Sequence, residues 1–320
     1  MGEILARLGR IGLIPIIRLD SPEQALPLGK ALLAGSLPVA EVTFRTDAAE
    51  ESIKILSREL PELTLGAGTV LTTEQADAAV AAGAKYIVTP GFNQKVVAHC
   101  IAKGVPITPG VTTPTQIEQA LEMGLSVLKF FPAEQSGGVA MLKAFAGPYG
   151  SKVSFIPTGG ASVKNLADYL GCANVHAVGG SWMVPSDAIA AGDYGKVEML
   201  CREARMLSLG FRLLHIGINP YMNEPVDESG TMLATMLGMP RKPGNSSIFV
   251  GDAFELMRER GRGEKGHIAV ETLSVERALE WISGFGFNPV EETIKRKNGV
   301  ITMAYVDKPF MGFALHLNRK

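Results

Sequence analysis

Three ionisable side chains stand inside runs whose apolar pattern leaves little room for charge. Lys129 lies in the middle of VLKFFPAE (127–134), and Glu41 and Arg45 lie in VAEVTFR (39–45). Both runs read as strands, and an unpaired charge buried in a strand is costly, so each such group is either paired, turned to water or chemically employed. Side chains alternate between the faces of a strand. Glu41, Thr43 and Arg45 therefore share one face, with Val42 and Phe44 on the other. The same parity groups Lys129 with Val127 and Phe131, and sends Leu128 and Phe130 the opposite way. If the two strands belong to one barrel, an acid, a guanidinium and an amine converge on a single interior. Two plainer arrangements stay open at this point: a structural Glu41–Lys129 ion pair, or a lysine that reaches out to solvent along its aliphatic stem.

Two glycine pairs weigh toward chemistry. PTGGAS (157–162) and VGGSW (178–182) follow two further strand-like runs, where barrels commonly hold phosphate through backbone N–H groups. Gly159, Gly160, Gly179 and Gly180 let the backbone approach an anion closely, and Ser181 adds a hydroxyl. An amine held in an apolar interior beside a cation is driven toward its neutral form. A neutral amine attacks a ketone and forms a Schiff base, whose iminium withdraws electrons from a neighbouring C–C bond. A carboxylate at Glu41 would move the protons, and Arg45 would grip a substrate carboxylate through a bidentate contact. Ketone, carboxylate and phosphate together describe a phosphorylated 2-keto acid.

The elements that must position these groups repeat eight times. Strand-like runs at 11–19, 39–45, 64–70, 85–91, 105–111, 126–133, 153–160 and 175–182 alternate with Ala- and Leu-rich helical stretches, several opened by Ser or Thr and closed by Gly. Near-continuously apolar strands joined by helices imply a parallel sheet covered by helices. Eight units in about 200 residues suit a compact α/β (β/α)8 TIM barrel better than an open Rossmann-like sheet. No GxGxxG follows the first strand, which weakens the open-sheet alternative further. The barrel is expected over residues 1–206. From 207 to 320 the pattern changes to a smaller α+β domain of paired βαβββ modules, with strands at LLHIGINP, SSIFVGD, AFELMRER and GHIAVET. A hairpin VEETIKRK–NG–VITMAYVD, turning on Asn298-Gly299, and a last strand MGFALHLN complete it.

Composition excludes several partners. The formal net charge of the 320 residues is −1, which gives no field to attract nucleic acid or an acidic membrane. Three widely spaced cysteines and no CxxC pattern argue for a reducing compartment rather than a disulfide framework or a zinc knuckle. The N-terminus has no signal-peptide grammar, and no apolar run is long enough to span a bilayer. The expectation is a soluble cytoplasmic protein.

EVTFRT (41–46), GAGTVL (66–71), TPG (89–91), LKFFPAE (128–134), PTGG (157–160) and GGSWMVP (179–185), in this order, resemble the motifs of the 2-dehydro-3-deoxy-phosphogluconate aldolases, whose bifunctional members also cleave 4-hydroxy-2-oxoglutarate. The resemblance covers about residues 5–205. It implies a class I aldolase that needs no cofactor or metal and releases pyruvate and glyceraldehyde 3-phosphate. It also implies Lys129 as the Schiff-base lysine, Glu41 as general acid/base, and Arg45 and Thr69 as holders of the pyruvate moiety. Pro90 and Phe131 would shape the pocket, Thr158 would lie beside the substrate, and Gly159, Gly160, Gly180 and Ser181 would bind phosphate. A homotrimer is the assembly it implies. Phe44 stands where many relatives have leucine, a change that leaves the chemistry alone.

The C-terminal modules resemble the vicinal-oxygen-chelate superfamily of glyoxalases and bleomycin-resistance proteins. LLHIGI, FELM, GHIAVE and FALHL are similar to its four metal-bearing strands, which makes His215, Glu255, His267 and His316 candidate ligands for a divalent metal. His316 stands where glyoxalases usually carry glutamate. The leading expectation is an aldolase with an accessory or regulatory tail. The alternative is a Schiff-base lyase of other keto-acid specificity fused to a second, metal-dependent glyoxalase-like enzyme, and a non-enzymatic version makes the tail a small-molecule sensor.

Overall fold

The computed structural model describes residues 2–320, which divide into two compact units, one ending at Ser208 and the other running from Leu209 to Lys320. The strands of the first are β1 (Leu13–Ile17), β2 (Val39–Thr43), β3 (Thr64–Gly68), β4 (Tyr86–Val88), β5 (Ile107–Thr108), β6 (Gly110–Val111), β7 (Val127–Phe130), β8 (Ser154–Pro157) and β9 (Val178–Gly180). Their registered pairings are all parallel, in the order β5-β4-β3-β2-β1-β9 and separately β6-β7-β8. β1 pairs with β9, and a parallel bridge from Thr158 to Gly179 ties the end of β8 to β9. The unit is thus a TIM-like α/β barrel.

One expected strand is divided. The run 105–111 breaks at Pro109, which has no N–H to give to a ladder. Its first half, β5, pairs with β4 and its second, β6, with β7. The Pro109 carbonyl still accepts the backbone N–H of Lys129 at 2.9 Å. Gly110 is needed beside it, because a Cβ there would lie 2.1 Å from the Pro90 carbonyl oxygen.

The covering helices are α1 (Gly2–Ile11), α2 (Ala25–Ala34), α3 (Ala49–Glu59), α4 (Thr73–Ala81), α5 (Gln94–Ala102), α6 (Pro114–Glu122), α7 (Gly138–Tyr149), α8 (Leu166–Leu170), α9 (Ser186–Ala190) and α10 (Tyr194–Leu209). Their borders follow from local chemistry. Thr72 caps α4 by accepting the Gln75 N–H, Asn93 caps α5, and Thr113 with Gln116 forms a capping box ahead of α6, whose first residue is a proline. The face of β7 opposite Lys129 is apolar, as strand parity requires. Phe130 lies edge-on to Phe145 of α7 and Phe155 of β8, with ring centroids 6.1 and 6.3 Å away.

The second unit holds β10 (Arg212–Ile218), α11 (Val226–Leu237), β11 (Arg241–Pro243), β12 (Ser247–Val250), β13 (Phe254–Met257), β14 (Gly266–Thr272), α12 (Val275–Ser283), β15 (Lys295–Lys297), β16 (Val300–Tyr305) and β17 (Phe313–Arg319). These strands form one eight-stranded sheet in the order β11-β12-β13-β10-β14-β17-β16-β15. It consists of two βαβββ modules joined through the antiparallel β10–β14 pair, and each module pairs its own first and last strands in parallel. Two details differ from the sequence expectation. β11 is an added strand at a sheet edge, where Pro243 is tolerated. The run VEETIKRK contributes only Lys295–Lys297, because Glu291–Thr293 winds into a 3-10 turn. Asn298 and Gly299 have φ of +52° and +80°, the backbone an I′ hairpin turn demands. Beneath the sheet, α12 packs Val275, Ala278 and Leu279 against Ile301, Ala304 and Leu317.

Candidate active site

Glu41 and Lys129 meet inside the barrel. Their side chains are nearly inaccessible, and Nζ of Lys129 lies 3.4 Å from Oε1 of Glu41. That spacing exceeds a tight charge-assisted hydrogen bond but lies within the reach of a small shift or one bridging water. Nζ also stands 5.2 Å from the Phe131 ring centroid. Both groups line a cavity of about 210 Å³.

Glycine makes room for this pair. A Cβ at Gly68 would lie 2.2 Å from Oε1 of Glu41, so the carboxylate crosses the space that any larger residue would fill. A Cβ at Gly66 would collide with the ring of Tyr86, which fills the adjacent interior and donates from its hydroxyl to the Ala40 carbonyl at 3.2 Å. Burial, and secondarily the charge of Glu41, pushes the Tyr86 phenol well above its ordinary range. The phenol therefore stays neutral beside the carboxylate.

The rest of the cavity comes from strand ends and the loops after them. Arg45, Thr69, Pro90, Phe131, Thr158, Gly159, Gly160, Gly180 and Ser181 all line it, together with Ile16, Thr43 and Ala161. Thr69 has φ of +58°, a left-handed backbone that a β-branched residue adopts only at a cost of about 1–2 kcal/mol. The neighbouring Gly159 and Gly160 have φ of +92° and +87°. A Cβ at Gly160 would lie 2.3 Å from Cγ of Glu134, whose carboxylate accepts from the Tyr169 hydroxyl. Gly179 is the one expected glycine that does not line the cavity. It is buried behind it, where a Cβ would meet the Thr158 hydroxyl at 2.5 Å.

Sequence reading left Gly68, Tyr86, Ile16 and Ala161 without a role. Tyr86 was accessible to the same parity argument, since it pairs directly with Gly66 across β3 and β4. Gly68 was not, because its importance lies in the path that the Glu41 side chain takes.

In the second unit the four candidate ligands also converge. Glu255 and His267 flank Gly217 on neighbouring strands, and His215 and His316 flank Ala269 in the adjacent row of the same face. Oε2 of Glu255 lies 3.1 Å from Nε2 of His215 and 3.0 Å from Nε2 of His267. Nitrogens of His215, His267 and His316 lie within 4.8 Å of one another. Gly217 makes this possible, for a Cβ there would fall 2.1 Å from the His267 ring. Hydrogen bonds with His215 and His267 hold the Glu255 carboxyl well below the usual range, and Ser247 donates to its other oxygen at 2.7 Å. His316 directs Nδ1 to the Asn318 side-chain oxygen at 2.6 Å, which leaves Nε2 buried and without a hydrogen-bond partner among the described residues. Burial, and then the neighbouring His267, pushes the His316 imidazole down to about 4, so its nitrogen is a neutral donor. Such a set of imidazole and carboxylate donors with one buried orphan nitrogen fits a divalent transition metal.

Comparison with known proteins bears on the barrel. Residues 4–200 match the family described as KDPG and KHG aldolase. A 2-dehydro-3-deoxy-phosphogluconate aldolase of Treponema pallidum is 52% identical over 203 residues, covering 63% of this chain and 96% of the relative. A KDPG aldolase of Legionella pneumophila, solved with pyruvate captured as a covalent carbinolamine, is 39% identical with a TM-score of 0.61, over 63% of this chain and 97% of that one. A Zymomonas mobilis aldolase solved with 3-phosphoglycerate is 37% identical with a TM-score of 0.59, over 63% and 95% of the two chains. Residues 201–320 lie outside the family match.

Proposed function

The chain belongs to the KDPG and KHG aldolase family through residues 4–200 and is an aldehyde-lyase, and from that premise we propose that its barrel cleaves 2-dehydro-3-deoxy-6-phosphogluconate to pyruvate and glyceraldehyde 3-phosphate. 4-Hydroxy-2-oxoglutarate, which carries the same 2-keto acid end, is the second substrate. The observation that carries the reading is the buried Lys129–Glu41 pair at 3.4 Å on a cavity lined by Arg45 and two glycine loops.

The steps follow from those groups. The amine of Lys129 adds to the C2 carbonyl, and loss of water from the carbinolamine leaves an iminium. Glu41 takes the proton of the C4 hydroxyl, directly or through a water, as the C3–C4 bond breaks. The bonding pair moves into the iminium to give an enamine, and the aldehyde departs with the phosphate. Glu41, now protonated, returns that proton to C3 of the enamine, and hydrolysis of the resulting iminium releases pyruvate and free lysine. Arg45 and Thr69 hold the carboxylate end, while Pro90 and Phe131 bound the ketone and Thr158 lies beside it. Gly159, Gly160, Gly180 and Ser181 receive the phosphate through backbone N–H groups and a hydroxyl. Incubation with pyruvate and borohydride, digestion and mass spectrometry test this. The expected adduct is on the Lys129 peptide and disappears in Lys129→Ala. A folded wild-type protein without it would return Lys129 to a structural role.

For the tail the convergence of His215, Glu255, His267 and the orphan His316 nitrogen supports a metal centre in a glyoxalase-like domain. These four side chains would hold a divalent ion, and such an ion would supply Lewis-acid polarisation of an oxygen ligand. An accessory or regulatory role for this domain is the simpler reading, and an independent metal-dependent activity is the alternative. The homotrimer expected from the family is tested by light scattering of the full chain.

A further inference from the structure

Arg45 has a long side chain and an exposed position in the turn two residues past the end of β2, yet its proposed task requires a fixed guanidinium. Free in solution such a side chain samples many rotamers, and ordering it on binding costs up to about 2 kcal/mol. One residue restrains it. The Arg45 backbone N–H donates to the Thr43 carbonyl at 2.8 Å, and its Nε–H donates to the Thr43 hydroxyl at 3.1 Å. Thr43 is itself immobile: it is 2% exposed, sits in the β2 ladder opposite Gly68, and spends its single hydroxyl proton on the Ile17 carbonyl at 2.8 Å. Because that proton is committed, the oxygen can only accept, and Nε–H is the donor it meets.

The geometry points to Thr43 as a positioning residue for the reaction, one that pre-orients Arg45 for the carboxylate of a 2-oxo acid. With Nε occupied, a carboxylate must be taken end-on through the two Nη groups rather than along the Nε edge. Thr43 thus selects substrates that carry a carboxylate next to the ketone and leaves Lys129 chemistry untouched. This inference rests on the Schiff-base reading of the barrel.

The test follows trapping of pyruvate by borohydride in the full-length protein as a function of pyruvate concentration, with pyruvamide, which lacks the carboxylate, as the parallel ligand. Thr43→Val is expected to raise the half-saturating pyruvate concentration about tenfold, the effect of losing one well-placed hydrogen bond to a charged group. The trapping rate at saturation should stay near that of wild type, and half-saturation by pyruvamide should not move. Thr43→Ser keeps the hydroxyl and should restore pyruvate binding to within about twofold of wild type. Where Thr43→Val does not fold, Thr43→Ala removes the same oxygen without adding a methyl and is read in its place. Unchanged half-saturation by pyruvate in the variant, or an equal loss for pyruvate and pyruvamide, would overturn the assignment. Failure of the wild-type protein to trap pyruvate at Lys129 would remove the Schiff-base reading, and this one with it, before any Thr43 variant is made.

Discussion

Gly68→Ala should disable the barrel while leaving it folded. The new methyl carbon would lie 2.2 Å from Oε1 of Glu41 and 2.8 Å from both Cδ and Cγ, against ordinary contact at 3.4 Å or more. Gly68 needs no left-handed backbone, and the atoms it would meet belong to one movable side chain. The strain is therefore relieved by swinging Glu41 about 1 Å off its present position, away from the 3.4 Å approach to Lys129. Misplacement of that order costs roughly 100-fold, or about 2.7 kcal/mol in the barrier. Removing the carboxylate in Glu41→Gln should cost roughly 10²- to 10⁴-fold, the usual range for a general acid/base. The assay is exchange of the pyruvate methyl protons into D2O by NMR, which reports proton transfer at the enamine carbon without a coupling enzyme. Gly68→Ala should lose exchange and cleavage in parallel, yet still trap pyruvate at Lys129 and melt within a few degrees of wild type. Exchange at the wild-type rate would refute the reasoning, as would loss of trapping together with a collapse in melting temperature.

Other expectations can be checked as readily. After reconstitution with manganese, nickel or zinc, the full chain should retain about one divalent ion and melt at a higher temperature, and His316→Ala should weaken retention at least roughly tenfold without altering aldol cleavage. Inductively coupled plasma analysis after dialysis decides this, and absence of a stoichiometric ion would remove the metal centre. Burial pushes the Cys201 thiol up to about 12 and the Cys100 thiol up to about 11. At pH 8 both remain protonated below their raised values, so a disulfide reagent should find them unreactive in the native protein and reactive after denaturation. Rapid modification of the native protein would contradict their packing. Phe130→Ala, which empties the aromatic cluster between β7 and α7, should destabilise the barrel by roughly 3–5 kcal/mol in denaturant titration. A change under 1 kcal/mol would mean that the cluster relaxes into the gap.

How much of this was legible depends on what each feature rests on. Parity along a strand carried the inward Glu41 and Thr43 and the outward Leu128 and Phe130, because period two is a property of the backbone alone. The strand ends at Thr43, so Arg45 reaches the cavity from the turn beyond it rather than by parity. The division of strand five at Pro109 was readable in principle, since a residue without an N–H cannot continue a ladder, but the apolar run around it hid the break. β11 was hidden for the opposite reason. RKPG carries turn chemistry, and only its pairing with β12 makes it a strand. Gly179 was grouped with the other glycines because spacing cannot tell a residue that lines a cavity from one that packs behind it against Thr158.

The glycines matter most to the difference between a list of residues and a site. In GAG (66–68) the apolar pattern of a strand gives way to residues with poor strand propensity, a local conflict that reads as weakness when the segment is taken by itself. Each exception is resolved by a side chain from elsewhere. Gly66 yields to Tyr86 and Gly68 to Glu41, while Thr69 accepts a left-handed backbone at the cavity wall. The same device recurs in the second unit, where Gly217 yields to the His267 ring between Glu255 and His215. In both units a missing Cβ creates the volume in which ionisable groups from distant strands can approach. A glycine that interrupts a buried strand is therefore informative about its neighbours across the sheet, and the residue to identify is the one whose side chain crosses over it.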